Sequence, residues 1–128
     1  MRITADLSHW VCVSESYLEN FKVELDEAIR RAEHIHARVG FIEGPQIPDP
    51  RSSFWQEEVA FFLELWKRIL IYQQTKGTEV FTITTEFGPP PYLWTDLKDN
   101  SPIADQWEIN VFMKDLLKER FDPLPKKH

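Results

Sequence analysis

The chain has 128 residues, 15 basic and 21 acidic side chains, a formal net charge of -6 and 42% apolar residues, as expected of one globular unit. The net negative charge does not favour binding to duplex DNA or to anionic lipid. The single cysteine excludes an internal disulfide framework. No secretory signal is recognisable, and the apolar run around Ile69 is too short and polar to span a bilayer. We therefore expect a cytoplasmic protein with neither a nucleic-acid nor a membrane partner.

Three segments alternate between polar and apolar residues, which predicts strands over residues 2–9, 34–40 and about 80–86. The polar faces of these three strands carry Thr4, Asp6 and Ser8, then His34, His36 and Arg38, then Thr82, Thr84 and Glu86. Each strand has a metal-competent side chain near the carboxyl end of its polar face: Asp6, His36 and Glu86. If the strands are parallel neighbours, these three metal-competent side chains converge at the carboxyl edge of the sheet, where α/β proteins place their chemistry.

Helical spacing of apolar residues predicts helices over about 16–32, 53–76 and 103–121. Ser16 with Glu19, and Ser53 with Gln56, fit capping boxes, and Gly77 should end the second helix. That helix has two apolar stripes, more than one sheet face requires. The PLPKKH tail should fray.

The strand and helix order predicts an α/β fold with parallel strands and all three helices on one face. The opposite face would be polar, which suits the lining of a barrel and suits an open three-stranded sheet badly. A (β/α)8 TIM barrel needs about 250 residues. We therefore expect residues 1–128 to form a partial barrel of about three consecutive β/α units, without a second domain. It would be completed by another chain, as a homo-oligomer or by a missing N-terminal half.

Four blocks of the sequence carry a resemblance that covers nearly the whole chain: TADLSHW at 4–10, HIHARVGFIEGPQIPDPR at 34–51, TTEFGPPPY at 84–92 and ADQWEIN at 104–110. In combination, they resemble the C-terminal part of a sugar phosphate isomerase/epimerase of the xylose isomerase-like TIM barrel superfamily. That superfamily also includes AP endonucleases of the endonuclease IV type.

The resemblance implies a divalent metal ion, Mn, Mg, Co or Zn, with Asp6, His36 and Glu86 as ligands. Glu86 would also be a catalytic acid/base, and His9 would be a further ligand or a substrate contact with a catalytic role. Arg38 and Arg51 would bind substrate hydroxyl, carboxylate or phosphate groups. The family also has a ligand glutamate on an earlier strand, which no residue before Asp6 supplies.

Several of these residues also have plain structural interpretations. Asp6 and His9 could form a strand-end turn in which the aspartate caps backbone amides, and Arg38 could pair with Glu86. His34 is better explained as a hydrogen-bonded interior residue or a partner of a ligand. The aromatic rings of Tyr92 and Trp94, like that of Trp107, could stack on a sugar or anchor a loop.

Three functions follow from these patterns. The first is a metal-dependent isomerase or epimerase that moves a proton next to the carbonyl group of a sugar or sugar phosphate. The second is a non-catalytic barrel fragment or association module completed by another chain. The third and weakest is a metal-dependent phosphoesterase of the AP endonuclease type, which the acidic balance disfavours.

Overall fold

The computed structural model describes residues 1–122 and contains a three-stranded parallel sheet in the order β1-β2-β3. The strands are β1 (Ile3–Ala5), β2 (Ala32–Ala37) and β3 (Thr82–Thr85). Thr4 of β1 pairs with His34 of β2, which pairs in turn with Thr82 of β3. The prediction of an α/β fold with adjacent parallel strands is confirmed for this sheet. The PLPKKH tail lies outside the described residues.

Four α-helices accompany the strands within the described part of the chain: α1 (Leu7–Ser14), α2 (Lys22–Arg31), α3 (Gln56–Thr75) and α4 (Gln106–Phe121). A short 3-10 helix, Ser53–Trp55, leads into α3, and the Ser52 hydroxyl accepts a hydrogen bond from the Phe54 amide at its start. Gly77 has φ 78 and follows the C-cap of α3, as expected of a glycine that ends a helix. None of these helices has both the length and the apolarity required to cross a membrane.

The first predicted strand and the first predicted helix are both wrong in extent. The strand ends at Ala5, and the chain turns at Asp6 into α1, which buries Leu7 and Val11 at helical spacing. Residues 7–9 continue the alternation of the strand, but Leu7 and Val11 are buried together as an i, i+4 pair, which is the spacing of a helix. The predicted helix over 16–32 begins only at Lys22, because Glu15 and Leu18 adopt left-handed backbone angles between α1 and α2. Ser16 accepts a hydrogen bond from the Leu18 amide within this turn and caps no helix.

The other elements differ from prediction mainly at their ends. The second strand begins at Ala32, directly after the last residue of α2, so no loop separates the helix from the strand. The third strand is shorter than predicted, and the last helix begins at Gln106 because Asp105 accepts a hydrogen bond from the Glu108 amide. The ends of these strands and helices depend on local hydrogen bonds, which the periodic spacing of apolar residues in the sequence does not reveal.

The core lies between the sheet and the helices. Ile35 and Ala37 of β2 are fully buried on this side, and Phe62, Trp66 and Ile69 of α3 are buried on the helix side. The second stripe of α3 comprises Leu65, which is buried, and Phe61 and Tyr72, which are partly buried. Phe61 packs edge-on against Tyr17, with ring centroids 4.9 Å apart. The extra stripe therefore covers the turn between α1 and α2.

The opposite face of the sheet is polar and open. Thr4, Thr82 and Thr84 are exposed there, and His34 and His36 are half-buried between them. This arrangement matches the predicted polar row. It leaves one face of a parallel sheet uncovered by the described residues, whereas parallel sheets are normally covered on both faces.

Candidate functional site

Three side chains converge at the carboxyl edge of the sheet. Asp6 follows β1, His36 lies near the end of β2, and Glu86 directly follows β3. The His36 ring lies between the two carboxylates, with Nδ1 3.8 Å from Asp6 Oδ2 and Nε2 3.8 Å from Glu86 Oε1. The Glu86 amide donates to the carbonyl oxygen of Ala37, which extends the strand pairing to the site. The parallel register thus brings together the three residues that the sequence singled out.

Arg38 is the closest cationic partner of Asp6. Its guanidinium is buried, with Nη2 3.3 Å from Asp6 Oδ2, and its Nε donates to the Ser8 hydroxyl at 3.2 Å. The Ser8 hydroxyl donates in turn to Asp6 Oδ1 at 2.6 Å. Both oxygens of the Asp6 carboxylate therefore accept hydrogen bonds from side chains. The carboxylate makes no capping bond to α1, and Arg38 pairs with Asp6 where a pair with Glu86 was the alternative.

His9 joins this cluster from a helix. It is the third residue of α1, so the predicted position at the end of a strand is wrong. Its side chain is half-exposed, and its Nε2 contacts Arg38 Nη2 and lies 3.8 Å from Asp6 Oδ2. Because α1 starts directly after Asp6, the D-x-x-H spacing becomes an i, i+3 pair at the start of a helix, which places both side chains on one side.

His34 is held by hydrogen bonds. Its Nδ1 lies 2.6 Å from the Thr82 hydroxyl and its Nε2 lies 2.8 Å from the Thr84 hydroxyl. Both ring nitrogens are engaged, so the interpretation of His34 as a hydrogen-bonded residue agrees with its contacts. Its ring meets that of His36 edge-on at 5.3 Å, which supports the position of the His36 ring.

Arg51 does not join the cluster. It forms a bidentate pair with Asp49, with distances of 3.0 and 2.9 Å, and its Nη1 lies 3.6 Å from Glu108 of α4. Burial alone would raise the pKa of Asp49, but the hydrogen bonds from Arg51 outweigh this effect and lower the pKa below its ordinary value. Arg51 thus links the loop after β2 to α4. Its contact with substrate stays a prediction.

Tyr92 and Trp94 lie in the loop after β3. The Arg38 guanidinium lies over the Tyr92 ring, 4.8 Å from its centroid, so Tyr92 supports the charged cluster. Trp94 packs with Phe41 and Trp55, with centroid distances of 6.3 Å to each. Both predicted stacking residues are more than 40% exposed, and Tyr92 is the one in contact with the cluster.

Two amide side chains that the sequence did not single out hold the chain just beyond Glu86. Gln46, buried in the loop after β2, bonds both backbone groups of Gly88. Asn110 of α4 bonds both backbone groups of Phe87, at 3.0 and 2.9 Å. These contacts join residues 42 and 23 positions apart. Gln46 lies within the sequence block at 34–51 and Asn110 ends the block at 104–110, but no role was predicted for either side chain.

Within residues 1–122, no group of three His, Cys, Asp or Glu side chains is arranged to hold a metal ion. Asp6 and Glu86 flank different nitrogens of the His36 ring, so these three side chains do not share one coordination point. Two ligands that each lie about 2.1 Å from an ion are at most about 4 Å apart, so the His36 and Glu86 atoms could bind one ion as a pair. The Asp6 carboxylate is paired with Arg38 instead. Its role as a ligand stays a prediction.

Comparison with known proteins identified no relative: no family model, curated protein or solved structure matches the chain. The resemblance to the xylose isomerase-like superfamily in the four sequence blocks therefore stays a prediction.

Proposed function

We propose that this chain forms one section of the active site of an isomerase or epimerase that moves a proton next to the carbonyl group of a sugar or sugar phosphate. The observation that carries the proposal is the row of Asp6, His36 and Glu86 across the carboxyl edge of three parallel strands. Ligand sites of parallel α/β sheets lie at this edge. The polar face that surrounds the row suits a hydroxylated substrate better than an apolar one.

The chemistry needs a base near the carbon and positive charge near the carbonyl oxygen. Glu86 is the better placed base, because its carboxylate is 37% exposed and has no arginine or lysine partner within residues 1–122. The Asp6 carboxylate is held by Arg38 and is less exposed, at 18%. Arg38 and His9 form the polar border of the site on the β1 side. Asp6 would therefore orient Arg38, and Glu86 would exchange the proton.

A divalent ion held by His36 and Glu86 would supply positive charge at the carbonyl oxygen. Two protein ligands make an incomplete shell, since catalytic metal sites usually have three or more. The remaining ligands would come from a polypeptide that completes the barrel, or from a carboxylate released by Arg38. Mn, Mg, Co and Zn all remain candidates, because a carboxylate and an imidazole do not select among them.

The open sheet supports the further proposal that another chain completes this one, as a homo-oligomer or as the other part of a TIM barrel. β1 and β3 each have a free edge within the described residues, and the polar face between them is bare. Free strand edges readily pair with further strands. The same features favour the association module as the second candidate function. Light scattering over a range of concentrations tests this proposal: a well-folded monomer at every concentration contradicts it.

Metal-dependent melting tests the first proposal. We expect Mn²⁺ or Co²⁺ to raise the melting temperature, since saturation at 100 times Kd stabilises a protein by about 2.7 kcal/mol. Glu86→Gln and His36→Ala should each abolish the shift. Glu79→Gln removes the same charge at an exposed position before β3 and should retain it. An unchanged melting curve with metal, combined with no exchange of substrate C–H for solvent deuterium, contradicts the proposal.

A further inference from the structure

A pocket lies beside the charged cluster formed by Asp6, His9 and Arg38, between the loops that follow β2 and β3. Its volume is about 300 Å³, at the lower end of the range for small-molecule sites. Phe41, Tyr92 and Trp94 form its aromatic walls, and Glu43, Pro45 and Pro91 complete much of the lining. Tyr92 is the residue that the pocket shares with the charged cluster, through its contact with Arg38.

The aromatic walls are held in position by the fold. Phe41 and Gly44 exchange both backbone hydrogen bonds, which makes a tight turn with Glu43 near its tip. A Cβ atom at Gly44 would lie only 2.7 Å from Cε1 of the Phe41 ring, so the glycine lets this ring lie against the backbone. Trp94 in turn packs against Phe41 and Trp55. The pocket is therefore formed before any ligand binds.

The polar groups of the pocket limit which ligand it can take. Gln46 also lines it, but both ends of its amide are engaged by Gly88. No arginine or lysine of the described chain lines it. The Glu43 carboxylate is exposed and forms no ion pair or hydrogen bond with another residue of the 1–122 segment. The lining thus offers one free negative charge, the Tyr92 hydroxyl, the rings of Phe41 and Trp94, and the part of the Tyr92 ring that the Arg38 guanidinium does not cover.

We propose that this pocket binds a methylated ammonium group, such as a trimethylammonium headgroup. A quaternary ammonium has no N–H donors to satisfy, and its positive charge is attracted by aromatic faces and by a nearby carboxylate. A primary ammonium is more strongly hydrated, and among the lining side chains only the Glu43 carboxylate and the Tyr92 hydroxyl are free to accept its N–H groups. A polyhydroxy ligand would need several hydrogen-bonding side chains that the pocket does not provide. The proposal is independent of the function proposed for the neighbouring cluster.

Choline and its uncharged isostere 3,3-dimethylbutanol test the proposal directly. Trp94 is a wall of the pocket, so we expect choline to produce a saturable change in tryptophan fluorescence. The isostere has the same shape without the charge and should bind about tenfold more weakly, because it loses the cation–π attraction. Xylose, the competing polyhydroxy ligand, should not displace choline.

Three variants localise the binding. Isothermal titration calorimetry measures the affinities of the variants, because Trp94→Ala removes the fluorescent reporter. Trp94→Ala should lower the affinity for choline about tenfold, and Glu43→Gln should lower it several-fold. Trp107→Ala, at a ring that is 76% exposed on α4 and outside the pocket lining, should leave affinity unchanged. Circular dichroism of each variant reports folding, and Trp94→Phe restores an aromatic wall if the alanine variant unfolds. Three outcomes would each overturn the proposal. They are equal affinities for choline and its isostere, displacement of choline by xylose, and unchanged affinity for choline in the double variant Trp94→Phe/Glu43→Gln.

Discussion

The side-chain amide of Gln46 pairs with the backbone of Gly88 as a neighbouring strand would: its Nε2 donates to the carbonyl oxygen at 3.2 Å, and its Oε1 accepts from the N–H at 2.8 Å. Gly88 follows Glu86 by two residues, at a point where β3 has already ended. The side chain therefore replaces strand pairing just beyond the candidate site and ties the two loops of that edge together.

Gln46→Leu should lower the free energy of unfolding by about 1 to 3 kcal/mol, because each backbone group of Gly88 loses its partner. Urea denaturation measures the change. Gln74→Leu, at an exposed position near the end of α3, is the matched control and should change stability by less than about 0.5 kcal/mol. Asn110→Leu should behave like Gln46→Leu, and the double variant should deviate from additivity because Phe87 and Gly88 are adjacent. Equal effects of Gln46→Leu and Gln74→Leu would show that the paired amide is dispensable.

Removal of one partner of the Arg38–Asp6 ion pair should lower the free energy of unfolding substantially. Arg38→Met leaves the Asp6 carboxylate, with 18% of its side chain exposed, without its cation. We expect a loss of about 3 kcal/mol, as for other pairs removed from water. Adding Asp6→Asn should recover part of the loss, because the unpaired charge is gone.

Arg2→Met is the control for this measurement. Arg2 lies 2.9 Å from Glu33, but these side chains are 81% and 51% exposed, so the pair should contribute only about 0 to 1 kcal/mol. A loss in Arg38→Met no larger than in Arg2→Met would mean that Asp6 does not depend on Arg38.

Tyr17 should make stability fall at alkaline pH. Burial, together with the nearby Glu58 carboxylate that accepts its hydroxyl hydrogen bond, raises the pKa of Tyr17 from 10.0 to about 12. Between these two values the folded state keeps the phenol proton that the unfolded state has lost. Stability is therefore fully present below pH 10 and is lost as the pH rises from 10 towards 12.

A titration of phenolate absorbance measures this shift. One of the three tyrosines should ionise late in the native protein, and Tyr17→Phe should remove that late step. Unfolding experiments between pH 9 and 12 should show a shallower loss of stability in the variant than in the natural protein. If stability falls equally steeply with pH in the variant and in the natural protein, Tyr17 does not cause the alkaline loss of stability.

Asp105 should be required for the start of α4. It accepts a hydrogen bond from the Glu108 amide at 2.9 Å, so Asp105→Ala should cost about 1 kcal/mol, whereas Asp105→Asn should cost little. Asp115→Ala, at an exposed position within the same helix, is the control. Thermal melting of the three variants should show that Asp105→Ala lowers the melting temperature most. A larger effect of Asp115→Ala would argue against a capping role.

The local pattern of residues was sufficient to predict several features. The alternation of His34, Ile35, His36 and Ala37 placed two histidines on the open face and two apolar residues in the core, because adjacent side chains of a strand point to opposite faces. The alternation of strands and helices predicted a parallel sheet, because a helix between two strands returns the chain to the edge at which the first strand began. The convergence of Asp6, His36 and Glu86 followed from that arrangement.

Only the tertiary structure decided which partner each of these groups has. Asp6 is two residues from Ser8 but 32 from Arg38, and no periodic pattern predicts a contact across that separation. The turn at Asp6 was also undetermined locally, since residues 7–9 continue the alternation of the strand, and only the joint burial of Leu7 and Val11 shows that they begin a helix. For β2 and β3, the sequence by itself determined which residues face the core and which lie on the open face, because these depend on the backbone period. The pairing of charges at the carboxyl edge depends on distances between loops and helices, which only the packed molecule sets.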